Sequence, residues 1–334
     1  MKEYVYLSIL IVIFSTASLL IAVPSVDDFS LYNPLWNGLS TLRERYGFEY
    51  TTTSNIQSLP ENAIVFVFPS KPIDGGQAEA LKGFLSNGGT VVLLDEYGYS
   101  NPLLHSIGSK ASITSKLLRD PLFKYKSSEL PYAWVDLGGK TFKICLNYAS
   151  TLQPGESKVL GLSSYFSFLD EDLDGSHDYE EPSGRMCIAS SYAFGRGLLI
   201  VFSDSSIFLN SMLNLGENRL LLEELCKNRK PYLLEDLLCF GAYTTFRESF
   251  ISTLTTLYNL MFHSSISYPL MFLTALLVFS AVRRFYPRLE KRYIPLDFRS
   301  KLHSTLRLHP GWNRKVLEEI LPEVFEGFEH SRED

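Results

Sequence analysis

Two short apolar runs, AIVFVFPS (63–70) and TVVLLDE (90–96), bracket the segment GGQAEALKGFLSNGG and leave the chain few ways to fold. A strand covered on both faces, as in a parallel sheet, carries a near-continuous apolar run rather than an alternating one. The bracketed segment reads as a helix of about ten residues closed by Gly88 and Gly89. Strand, helix and strand within about 35 residues make a βαβ unit with a right-handed crossover.

A second block repeats the theme. RMCIASSYA (185–193) alternates as a strand, FGRG is a turn, and LLIVFSD (198–204) is another buried strand. SSIFLNSM then opens a helix, and GENRLLLEELCKN is an amphipathic one. Upstream, NPLWNGLSTLRERYG reads as a helix leading into a short strand, FEYTT. Between the blocks, residues 105–165 hold β-like runs such as YAWVDL and KTFKICLNY, expected as an insertion rather than a separate domain. YLLEDLLCF fits a last strand or a helix, and RESFISTLTTLYNLMF a helix. The fold class expected is α/β, a flavodoxin-like domain with a β-rich insertion. Ligand sites in such sheets lie at the carboxyl ends of the strands. Those ends hold Asp95, Glu96, Asp204 and Ser206, which form a candidate ligand edge, unless Asp204 to Ser206 merely cap the next helix.

Two uncharged stretches add an expectation about compartment. VYLSILIVIFSTASLLIAV (5–23) and SSISYPLMFLTALLVFSAV (264–282) are near the length needed to cross about 30 Å of hydrocarbon. The second runs into Arg283, Arg284, Arg288, Lys291 and Arg292, which marks a cytoplasmic edge. The organisation expected is a cytoplasmic N-terminus (1–4), a transmembrane helix (5–23), an extracytoplasmic domain (24–263), a second transmembrane helix (264–282) and a cytoplasmic tail (283–334). That is a two-pass cell-membrane protein with both termini inside and its main domain outside. The tail carries WNRKVLEEILPEVFEGFEH, whose Val316, Ile320 and Leu321 share one helical face and suit docking to a cytoplasmic or membrane protein partner. With a net charge of −6, nucleic acid is not expected as a partner. Cys145, Cys187, Cys226 and Cys239 are compatible with disulfides outside the cytoplasm or with buried free thiols.

DDFSLYNPLWNGLSTL, FLSNGGTVVLLDEYGYSNPLL and GRGLLIVFSDSSIFLNSMLNLGENRLLLEEL together resemble an uncharacterised membrane-anchored family of archaea and bacteria, the domain of unknown function 4350. Its most specific mark is the order Asp204, Ser206, Asn210, Asn218 after a strand. The resemblance implies a class I glutamine-amidotransferase-like fold and hints at assembly or maturation, with no activity attached. An active amidotransferase needs a cysteine on a strand-to-helix turn and a histidine base. TVVLLDE is followed by Tyr97 and Gly98, with no cysteine, and His105, His177 and His263 have no nucleophile partner recognisable in sequence.

FLDEDLDGSHDYEEP (168–182) carries the clearest chemical pattern, seven carboxylates in fifteen residues. With Asp170 as position 1, Asp172, Asp174, Ser176, Asp178 and Glu181 fall at positions 3, 5, 7, 9 and 12, and Gly175 at 6. That is the spacing of a calcium loop. Strand-like flanks and Pro182 argue for a DxDxDG loop in a β framework, hence a structural site rather than a sensor. The alternative is a solvated turn. The function expected is a non-enzymatic, membrane-anchored binding or assembly module with a structural calcium. A small-molecule receptor or divergent hydrolase acting at the Asp95, Glu96, Asp204, Ser206 edge is the alternative.

Overall fold

A computed structural model describes residues 2–263 and 267–290, together with the single residues Arg307, Gly311 and Asn313. The chain divides into two compact units, Met1–Ser252 and Thr253–Asp334. The first holds the sheet and every site discussed below.

Among the described residues, thirteen strands occur in chain order. They are β1 (Glu49–Thr51), β2 (Ala63–Val67), β3 (Thr90–Leu94), β4 (Ser112–Ile113), β5 (Leu117–Arg119), β6 (Tyr132–Leu137) and β7 (Lys140–Cys145). Then follow β8 (Leu152–Gln153), β9 (Lys158–Ser163), β10 (Phe168–Asp170), β11 (Cys187–Phe194), β12 (Gly197–Phe202) and β13 (Lys230–Leu234). The helices are α1 (Lys2–Ala22), α2 (Ser40–Tyr46), α3 (Gly75–Ser86), α4 (Asn101–Ser106), α5 (Asn218–Cys226), α6 (Ala242–Phe262) and α7 (Ser267–Glu290).

Nine strands form one sheet in the order β1-β13-β2-β3-β12-β11-β9-β6-β7. The first five are parallel to their neighbours and the rest join antiparallel. The runs at 63–70, 90–96 and 198–204 are the central parallel strands β2, β3 and β12. Alternate residues serve opposite faces. Ile64, Phe66, Val92, Leu94, Ile200 and Phe202 pack with Phe208, Leu221, Leu222 and Leu225, whereas Val65, Val67, Val91, Leu93, Leu199 and Val201 pack with Leu81, Phe84, Leu85 and Leu104. Each such side chain contributes roughly 1.5–3 kcal/mol on full burial. Between β2 and β3, α3 opens with a capping box: Gln77 N donates to Asp74 Oδ1 (2.8 Å) and Asp74 N donates to Gln77 Oε1 (3.1 Å). Gly88, at φ 103°, follows its end.

Two expectations about the fold are corrected. The fold is α/β, but its parallel strands do not follow the flavodoxin-like order 2-1-3-4-5. β13, the last strand, slots between β1 and β2, pairing Tyr232 with both Glu49 and Val65. YLLEDLLCF therefore contributes a strand. SSIFLNSM does not open a helix but makes only a single 3-10 turn, Ser206–Phe208. The amides of Asn210 and Ser211 donate to the carbonyls of Gly38 (2.9 Å) and Trp36 (3.2 Å), so no helical ladder forms there.

The membrane expectation is also overturned, and with it the two-pass localisation. Among the described residues no helix is long and apolar enough to cross a membrane. In α7 the uncharged part, Ser267–Val282, spans only about 24 Å at 1.5 Å per residue before Arg283 follows. The tail residues Val316, Ile320 and Leu321 lie outside the described residues.

The β-like runs at 132–145 and 158–163 extend the same sheet as β6, β7 and β9 instead of forming a domain of their own. All four cysteines are free thiols, Cys145 and Cys187 buried and Cys239 exposed.

Candidate functional site

A cavity of about 610 Å³ opens where β2, β3 and β12 end. Their carboxyl termini bring Phe68 to Ser70, Glu96 with Tyr97 and Tyr99, and Ser205 with Ser206 to its wall. The segment before α2 closes another side with Asp27, Asp28, Phe29, Trp36 and Asn37, and the loop after β7 adds Asn147. Three carboxylates and five aromatic side chains thus share one cavity, and none of the described residues lining it is Lys, Arg or His. Trp36 and Tyr97 are 70% and 63% exposed, far more than large aromatic rings need to be in a domain with so much buried core.

The predicted edge residues take separate roles. Asp95 is buried and does not line the cavity. Its Oδ1 accepts from Tyr97 N (2.8 Å) and Gly98 N (3.0 Å), and its Oδ2 from Ser100 N (2.8 Å) and Ser100 Oγ (2.5 Å). Burial pushes its pKa up, while the Ser100, Tyr97 and Gly98 donors pull against that. Asp204 is fully buried and accepts from Asn147 N and Ser206 N, both at 2.7 Å. Burial, and then the charge on Glu96, push its carboxyl up to about 8. Its two amide donors, from Asn147 and Ser206, favour the ionised form and pull against that rise.

Glu96 is the edge carboxylate that reaches the cavity. Its Oε2 accepts from Ser205 N at 2.8 Å, and burial raises its pKa. Ser206 lines the wall with its amide donated to Asp204, and the 3-10 turn that follows carries no side-chain cap. No residue from Asp95 to Tyr97 has the positive φ expected of a strained nucleophile turn.

The other members of the sequence motif hold backbone. Asn218 accepts from Cys145 N (2.9 Å) and donates to the carbonyls of Cys145, Ile207 and Met212 (2.9, 2.9 and 3.0 Å). Asn210 accepts from Thr41 N and donates to the carbonyls of Asn33 and Leu35. Together they pin the 204–218 segment to the loops that build the cavity. Sequence reasoning missed Asp27, Asp28, Trp36, Asn37, Tyr99 and Asn147. The paired acids and the tryptophan in DDFSLYNPLWNG were the available signal.

The acidic loop lies elsewhere, between β10 and β11. Asp170, Asp172 and Asp174 bring ligating oxygens within 4.8 Å of one another. Asp178 and Glu181 are not in that group; the Glu181 carboxylate accepts from Glu171 N (2.7 Å) and Asp178 N (3.1 Å).

Residues 32–226 match the family described as Domain of unknown function (DUF4350). No curated protein matches the chain. Among solved structures, the mmIFT52 N-terminal domain is similar at 16% identity and a TM-score of 0.42, over 57% of this chain and 90% of that one. A cytoplasmic protein from Salmonella typhimurium LT2 is similar at 14% identity and a TM-score of 0.31, over 57% and 86%. A β-galactosidase from Bacillus circulans sp. alkalophilus is similar at 14% identity and a TM-score of 0.30, with 49% of this chain on 22% of that one.

Proposed function

The chain belongs to the DUF4350 family, and on that premise we propose that it is a non-enzymatic binding module whose carboxyl-edge cavity takes a small organic cation. One observation carries this reading: Asp27, Asp28 and Glu96 line the same 610 Å³ space as Trp36, Tyr97 and three further aromatic side chains, with no cationic residue among the described residues that line it. A cation is attracted by carboxylates and by the faces of aromatic rings, and the second attraction grows as water is excluded. The three carboxylates would repel an anionic ligand there. The volume suits a ligand of small-molecule size.

Binding rather than chemistry follows from how the groups are held. Asp95 and Asp204 spend their oxygens on loop donors and do not line the cavity, so they are not placed to act on a ligand there. The Ser205 and Ser206 hydroxyls share the wall with no histidine or lysine to activate them.

Calorimetric titration of the full chain with choline, with glucose as a neutral comparator, tests the reading. Choline should bind with a Kd in the millimolar range or tighter. Trp36→Ala should weaken it roughly tenfold, the size of a partly desolvated cation–π contact. Glucose binding without choline binding would overturn the assignment.

A further inference from the structure

We propose that Asp170, Asp172 and Asp174 form a divalent-cation site, with calcium as its occupant. None of its residues lines the cavity, and the inference stands independently of the reading above. The three carboxylates converge within 4.8 Å, although like charges this close repel one another. They are held there by the way the loop is closed. Leu169 N donates to the Pro182 carbonyl (2.9 Å), Gly184 N to that of Ser167 (2.8 Å), and Phe168 bridges Ser183. β10 is fixed in turn by its antiparallel register with β5.

A second observation, independent of the cluster, points to a missing ligand. Asp170 is 1% exposed, and its Oδ1 is buried with no hydrogen-bond partner. Its Oδ2 is engaged by Arg119 Nε and by Gly175 N (3.1 Å). Arg119 is shared with Glu129 and so does not fully neutralise the aspartate. A buried carboxylate oxygen without a donor is costly, and a bound cation removes that cost.

The donor set selects the metal class. All three side chains are carboxylates, with no cysteine or histidine in the group; the His177 ring lies edge-on to Phe168 instead. Oxygen-only sites suit hard cations. Calcium, with six to eight flexible ligands, tolerates a loop in which Asp172 and Asp174 face solvent and water completes the shell; magnesium demands a stricter octahedron. Gly175, at φ 84°, supplies the left-handed turn that folds position 6 back onto position 1. A side chain there would be strained.

Titration of the full chain with calcium chloride should show one site. At calcium ten times the Kd, the melting temperature should rise by roughly 3–6 °C over a chelated sample. The exposed double variant Asp172→Asn with Asp174→Asn should lower the affinity at least tenfold while retaining the chelated melting temperature. Absence of binding heat at millimolar calcium, with equal melting in calcium and chelator, would overturn the site. Equal stabilisation of the parent chain by magnesium would overturn the assignment to calcium, as would full calcium binding by the double variant.

Discussion

Asp95 and Asp170 are buried to the same degree, each at 1% relative exposure, and each follows or ends a short strand. Asp95 receives four donors from the six-residue stretch it begins, so both of its oxygens are satisfied by the loop itself. Asp170 receives two donors on one oxygen and none on the other. A carboxylate whose acceptors are all filled by its own chain is a structural part, however close to a cavity it sits. One left with a free buried oxygen, on a side chain that converges with two more carboxylates, is arranged for something not supplied by the chain. Burial alone does not separate the two cases, whereas the count of donors does.

Removing the self-satisfied carboxylate should have the largest effect. Asp95→Ala orphans the amides of Tyr97, Gly98 and Ser100 as well as the Ser100 hydroxyl, all at the carboxyl end of β3. Unsatisfied buried donors cost about 1–3 kcal/mol each and are partly relieved by water, so a loss of roughly 3–5 kcal/mol is expected in urea unfolding. Asn218→Ala, which frees three carbonyls and one amide, should cost roughly 2–4 kcal/mol by the same reasoning. A loss below about 1 kcal/mol at Asp95 would mean that its donors find other partners, and the comparison would fail.

The contrast also explains what could be read in the sequence. Strands such as Ala63–Val67 and Thr90–Leu94 were legible because burial on both faces leaves one continuous apolar run. The insertion of Lys230–Leu234 between the first two strands was not, because periodicity reports which faces are buried and says nothing about which neighbour pairs. The missing helix after Asp204 was hidden for a related reason. Its amides are captured by Trp36 and Gly38, some 170 residues away in the chain. Spacing placed Asp170, Asp172 and Asp174 together, but Glu181, at the expected twelfth position, bonds loop amides. Asp27, Asp28 and Trp36 went unseen because their role arises only when the segment before Ser40 folds over the strand ends.

An intermediate effect is expected at Glu96, which stands between the two cases: one oxygen serves the Ser205 amide while the side chain still lines the cavity. Burial raises its pKa, so the folded protein holds this proton to higher pH than the unfolded chain does. The stability contributed by that proton is present in acid and is lost as pH rises through the raised value. Cation binding has the opposite sign, because the ionised form is the one that attracts. Choline affinity should therefore fall as pH drops from 8 to 5. Glu96→Gln keeps an acceptor for Ser205, should weaken choline about tenfold at pH 8, and should flatten the part of the pH dependence that Glu96 provides. An unchanged slope in the variant would show that Glu96 does not carry the pH dependence.

The smallest effect should appear where charge is densest. In chelator, Asp172→Asn with Asp174→Asn removes two exposed negative charges that lie beside Asp170. Asp172 and Asp174 also accept local amide hydrogen bonds, from Asp174 N at 3.2 Å and Ser176 N at 2.7 Å, which asparagine can keep through its carbonyl oxygen. The repulsion relieved and the slight weakening of those bonds nearly cancel, so unfolding should shift by no more than about 0.5 kcal/mol. Added salt should narrow even that difference, since exposed charges are screened within about 10 Å at 0.1 M. A loss comparable to that of Asp95→Ala would show that the loop carboxylates already hold the fold without a metal, and Asp170 would then belong with Asp95 rather than opposite it.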